Sequence, residues 1–230
     1  MLEEGLLRLL ASIEQVGVWL SILAWISAAA GAVVMAYVLR NEKRRAMWVP
    51  AVIVGAVALV ANLADYVITL HVTPDLALEA NPLGRNVVEH FGLCAAKWYG
   101  LTGKILVSII AGQMFAYYLA NRERLFPTQA GSFPEFLIRM GNRSTTVRER
   151  LLASFTVFCF FFAGVQIFSF YIAYLNWLVY SPFRNSLPSV PVALFLLLGS
   201  LAIAFVAVTY RGFVASSPPQ SMKGLPEGWR

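Results

Sequence analysis

Three residues able to do chemistry share one helical face inside an otherwise apolar run: Asn62, Asp65 and Thr69, spaced i, i+3 and i+7. A carboxylate at hydrocarbon depth is costly to ionise unless it is paired or wetted, so Asp65 requires a partner. The next apolar run carries Lys104. Asp65 lies about six residues, or ~9 Å, inward from the end of its run near His71, and Lys104 lies about six residues inside the start of the following run at Trp98. An antiparallel hairpin would bring both charges to one depth. The expectation is therefore a buried Asp65–Lys104 ion pair, serving either to set the register of two helices or to bind something.

The connection between the two runs adds further polar groups. Thr73, Pro74 and Asp75 read as a cap, a first-position proline and an acid near a positive helix end, which predicts a short helix over Leu76 to Ala80. Asn81 and Pro82 break it, Gly84 permits a turn, and Asn86 with Glu89 reads as a second helix start. Folded back over the hairpin mouth, this segment would add Glu79 and Asn81 to the site; a solvated loop is the plainer alternative. The candidates for binding a ligand or ion are thus Asn62, Asp65, Thr69, Glu79, Asn81, Lys97 and Lys104. Gln113 and Gln166 would extend a polar route inward, or else join helices by hydrogen bonds.

Catalytic patterns are weaker. His71, Asp75 and His90 are the metal candidates, with Glu79 near them, but they lack the H-E-x-x-H spacing that places two histidines on one helical face. No G-x-S-x-G turn or recognisable Cys and His set supplies a nucleophile. Cys94 and Cys159 fall in different parts of the chain, without metal-type spacing. The residues imply no cofactor, no metal and no catalytic group, and they argue against an enzyme.

The elements that must hold these groups are membrane helices. With 59% hydrophobic residues, 13% charged residues and a mean hydropathy of +0.67, the chain is too apolar for a soluble domain of 230 residues. The expected fold is an all-α, polytopic membrane bundle, a single domain over 1–214 with a cytoplasmic tail at 215–230. Its five spans cover about 16–39, 48–71, 98–119, 151–180 and 192–213. Residues 1–14 place Leu2, Leu6, Leu10 and Ile13 on one stripe, as in an interfacial helix. Small residues mark two close-packing faces: Ser27 to Ala32 in the first span, and Ala51, Gly55 and Ala58 in the second. Phe133 to Met140 reads as an amphipathic piece at the membrane surface, and Thr146 with Glu149 as a capping box opening the phenylalanine-rich fourth span.

Charge assigns the sides. Thirteen Lys or Arg fall in the segments 40–47 and 121–150 and the tail after Tyr210, against four in the N-terminus, the 72–97 connection and the loop at Arg184. The positive-inside rule then places the N-terminus outside, the C-terminus in the cytoplasm and the polar hairpin mouth outward. The net charge of +6 is explained by this flanking pattern, so a nucleic-acid partner is not implied.

Asp65, Thr69, then Glu79, Ala80, Asn81, Pro82 and Leu83, followed by a span with an early lysine at Lys97 or Lys104, resemble an uncharacterised prokaryotic integral-membrane domain family. That family is marked by Asp-x3-Thr followed by Glu-x-Asn-Pro. The resemblance covers roughly residues 60–119 and implies that the hairpin is a unit in a prokaryotic plasma-membrane protein; it implies nothing about a substrate. Three functional classes follow. The first is a binding or transport-type module whose outward cavity takes a proton, a cation or a small solute. The second is an accessory or structural subunit that docks a membrane-protein partner or a second copy through its small-residue faces. The third is an intramembrane enzyme acting on a lipid-linked substrate.

Overall fold

The computed structural model describes residues 48–76, 82–142 and 146–217. The first expected span, the N-terminal stripe, Glu79, Asn81 and the tail from residue 218 lie outside them. Four helical stretches are long and apolar enough to cross a membrane: Trp48–Val72, Gly84–Leu125, Val147–Trp177 and Val190–Ser216. These correspond to the second to fifth expected spans, and no strand occurs among the described residues.

Helix α1 (Trp48–Val72) opens with Pro50 in its first turn, where the missing N–H costs nothing. Its small-residue seam packs against α2 (Pro82–Asn121). A Cβ on Gly112 would come within 2.7 Å of the Ala51 carbonyl oxygen, so the two backbones approach at a distance only glycine permits there. Ala58, Ala111 and Ala163 continue the close contact toward a third helix. This seam fixes the height of α1 against α2, and with it the depth at which their polar residues meet.

The connection departs from expectation. Thr73 does not start a helix: its N–H and its hydroxyl both donate to the Thr69 carbonyl, closing the end of α1. Leu76, at φ +58°, is left-handed and its N–H bonds back to the Thr73 carbonyl, so Leu76 itself is not helical; residues 77–80 of the expected short helix lie outside the described residues. The second helix start expected at Asn86 comes earlier: the chain is helical from Pro82, with Gly84 inside the helix instead of in a turn. The direction changes at Gly92, whose φ of 82° and ψ of 169° belong to a region reserved for glycine. An outer arm, 82–91, therefore leads into the span.

The remaining elements are α3 (Phe133–Arg139), α4 (Val147–Val165), α5 (Phe168–Trp177) and α6 (Val190–Ser216). The expected span over 151–180 runs as one stretch, Val147–Trp177, that tightens at Gln166 and Ile167, where both residues stay right-handed helical while the backbone bonds become i→i−3, dividing α4 from α5. Helix α4 packs on α2 and α6, whereas α5 packs on α1. At the end away from the arm, Tyr118, Phe160 and Phe205 form an aromatic core, the Tyr118 and Phe160 rings meeting edge-on at 4.9 Å. The fully buried Tyr118 and Thr209 hydroxyls share a 2.6 Å hydrogen bond there.

Helix α3 lies against the protein. Phe136 is completely buried between the rings of Tyr210 and Phe213, while Ile138 is exposed. Of the capping box opening α4, one half forms, with the Glu149 N–H donating to Thr146 Oγ1 at 3.2 Å. The Glu149 carboxylate turns instead to Arg124 at 2.7 Å, because a charge-assisted bond outcompetes a neutral backbone donor.

Candidate functional site

Asp65 and Lys104 meet as their depths require, with Lys104 Nζ 2.6 Å from Asp65 Oδ2. They are not sealed as expected. The Lys104 side chain is 30% exposed and that of Asp65 13%, so the pair faces an opening. Lysine carries its charge on a flexible stem, and here the stem brings that charge to the edge of a void.

The void is a cavity of about 620 Å³. Helix α1 supplies Asp65, Tyr66, Thr69, Leu70 and Val72, and the turn after it Thr73 and Leu76. The outer arm brings Gly84, and α2 brings Ala96, Tyr99, Gly100 and Lys104. The third wall is α5, with Ile172 and Asn176, continued by Val179 and Arg184 in the connection to α6. Gly100 lets the Tyr66 ring lie close, since a Cβ there would come within 3.2 Å of it. That ring is anchored by its hydroxyl, which donates to the Lys97 carbonyl at 2.9 Å.

Asn176 ties the walls together. Its amide nitrogen donates to Thr69 Oγ1 at 3.0 Å and to Asp65 Oδ1 at 3.4 Å, so both carboxylate oxygens of Asp65 accept a hydrogen bond. Below the cavity lies a second polar knot. Asn62 is buried, donates to the Ala58 carbonyl and to Ser108 Oγ, and accepts from Ser169 Oγ at 3.0 Å. Ser108 in turn donates to the Lys104 carbonyl at 2.7 Å. The knot joins α1, α2 and α5 and leaves Asn62 outside the cavity wall, with its amide spent on packing.

The expected residues thus divide. Asp65, Thr69 and Lys104 line one cavity; Asn62 serves the helix contacts beneath it; Lys97 offers its backbone carbonyl to Tyr66; Glu79 and Asn81 lie outside the described residues. Gln113 faces a separate apolar groove between α1 and α2, and the Gln166 amide donates to the Phe162 carbonyl in its own helix, so neither extends the cavity inward. The His71 ring stacks on Trp177 at 6.0 Å, and His90 Nδ1 lies 2.9 Å from the Asn86 carbonyl oxygen. Among the described residues no three His, Cys, Asp or Glu side chains gather as a metal would need. Cys94 and Cys159 are both free, one exposed and one buried.

Sequence reasoning missed Asn176 and Arg184. Asn176 carries the signal that singled out Gln113 and Gln166, a lone amide in an apolar run, but an aromatic belt surrounds it. Arg184 sits in a single 3-10 turn, Pro182–Ser186, between two apolar runs, too short for spacing to show which way its charge turns. Comparison with protein-family models, with curated proteins and with solved structures finds no match to this chain.

Proposed function

We propose that this protein is a binding or transport-type membrane module, embedded in a prokaryotic plasma membrane, whose polar cavity opens outward and receives a small solute. One observation carries the reading: the Asp65–Lys104 pair is part-exposed to a cavity of about 620 Å³ instead of being packed shut. A pair needed only for register gains nothing from a void beside it, because sealing it with apolar side chains would strengthen packing. The volume falls within the range of small-molecule sites, and the lining mixes apolar walls with a few convergent polar groups. The outward orientation rests on the distribution of Lys and Arg between loops.

The accessory-subunit reading draws on the other groove, lined by Ala51, Gly55, Ser108, Gly112 and Gln113. Only eight residues, 40–47, separate the expected first span from Trp48, so this same chain is as near to that groove as any partner. The groove therefore does not favour an outside protein. The test of the cavity reading is direct. Purified protein is screened against a panel of small solutes by thermal stability, and hits are retested on Thr69→Leu, which narrows the cavity and replaces a polar lining group with an apolar one while leaving both charges in place. A weakened response in Thr69→Leu is expected; a response of unchanged affinity places binding elsewhere and overturns the reading.

A further inference from the structure

We infer, resting on the cavity reading above, that the solute is a small organic oxyanion: a carboxylate or phosphate group carried on an apolar body. The unspent charged hydrogen-bonding capacity that the described residues bring to the cavity is mainly cationic. Asp65 is already engaged by Lys104 at one oxygen and by Asn176 at the other. A proton or metal cation would have to compete with an ammonium held at 2.6 Å. Lys104 spends one of its three N–H donors on Asp65. Arg184, exposed at the cavity's edge, carries up to five more donors and, among the described residues, has no carboxylate within ion-pair distance. Among the described residues, the charged side chains lining the cavity are therefore two cations and one already-paired anion. A cavity with surplus cationic donors is filled best by a ligand rich in acceptors, and the guanidinium fork suits a planar carboxylate or a phosphate. The remaining walls, including Leu70, Ile172 and Val179, offer only apolar contact, so the anion needs an apolar body to displace water from them.

Three isosteric probes separate the charge requirement from the apolar one: 3-phenylpropionate, 3-phenylpropylamine and 3-phenylpropanol, titrated calorimetrically into the full chain in a neutral detergent. The propionate is expected to bind at least about tenfold more tightly than either other probe, since a charge-assisted contact is worth roughly a factor of ten or more. Arg184→Gln should lose about that factor and Arg184→Lys should recover part of it; the Arg184 side chain forms no ion pair among the described residues, so both variants should keep the parent melting temperature. Nanodiscs of phosphatidylglycerol against phosphatidylcholine distinguish the source. If phosphatidylglycerol blocks the propionate in an Arg184-dependent way, the oxyanion is a lipid headgroup; if it does not, the oxyanion is a free solute. Binding of the amine or the alcohol as tight as that of the propionate, or an Arg184→Gln variant equal to the parent, overturns the anion inference while leaving the cavity reading standing. No response to any probe or lipid overturns both.

Discussion

Breaking the Asp65–Lys104 pair separately and together measures how wet the cavity is. Removing one partner from a fully sealed pair costs about 3–5 kcal/mol, whereas an exposed pair is worth about 0–1 kcal/mol. With side-chain exposures of 13% and 30%, this pair belongs between those limits. Lys104→Met leaves the less exposed carboxylate with Asn176 and cavity water, and should cost about 2–3 kcal/mol. Asp65→Asn leaves an ammonium that reaches water and can still donate to the amide oxygen, so about 1–2 kcal/mol is expected. The double variant should be less destabilised than the sum, with a coupling energy of about 1–2 kcal/mol. Reversible unfolding in bicelles, with all four proteins in the same lipid, supplies the cycle. A coupling below about 0.5 kcal/mol means that the pair is as well hydrated as one on a protein surface or is not formed, and refutes its placement between the two limits. A coupling above about 4 kcal/mol means that the pair is sealed, and the solute-binding reading loses its foundation.

The helix seam makes a sharper contrast. Gly112→Ala forces a Cβ to 2.7 Å from the Ala51 carbonyl oxygen and should destabilise by about 1–3 kcal/mol, whereas Gly55→Ala meets its nearest atom at 3.4 Å and should be neutral or slightly stabilising. Equal melting temperatures for the two variants would show that α1 and α2 do not pack at this register. Asn176→Leu removes the donor shared by Thr69 and Asp65 and should cost about 1–2 kcal/mol while freeing α5 from α1. Faster amide exchange over 168–177, with 48–61 unchanged, is the expected signature; uniform exchange along both helices would refute the assignment of Asn176 as a tie between walls.

Much of the hairpin was legible because helical geometry is local. The i, i+3, i+7 spacing of Asn62, Asp65 and Thr69 and the equal depth of Asp65 and Lys104 need only the rise and turn of a helix. The seam of Ala51, Gly55 and Ala58 announced a close approach, and Gly112 is where it occurs. Local signals failed where two satisfied the same residue. Thr73 reads equally as a cap for the next helix or as a stop for the last, and the stop won because the Thr69 carbonyl was within reach. Glu149 reads as a capping-box partner, yet Arg124 offered it a stronger bond.

The sequence by itself determined that this is an all-helical chain with spans of membrane length, and that an aspartate and a lysine lie at one depth on neighbouring helices. Only the tertiary structure decided what stands opposite them. In an apolar span every face is acceptable to lipid, so Ser169 and Asn176, which share one face of α5 at i and i+7, do not say which helix that face turns toward. Packing made that choice. It brought Asn176 to Asp65 and Thr69, turned Asn62 away into the knot with Ser108 and Ser169, and left Lys104 and Arg184 lining the same cavity.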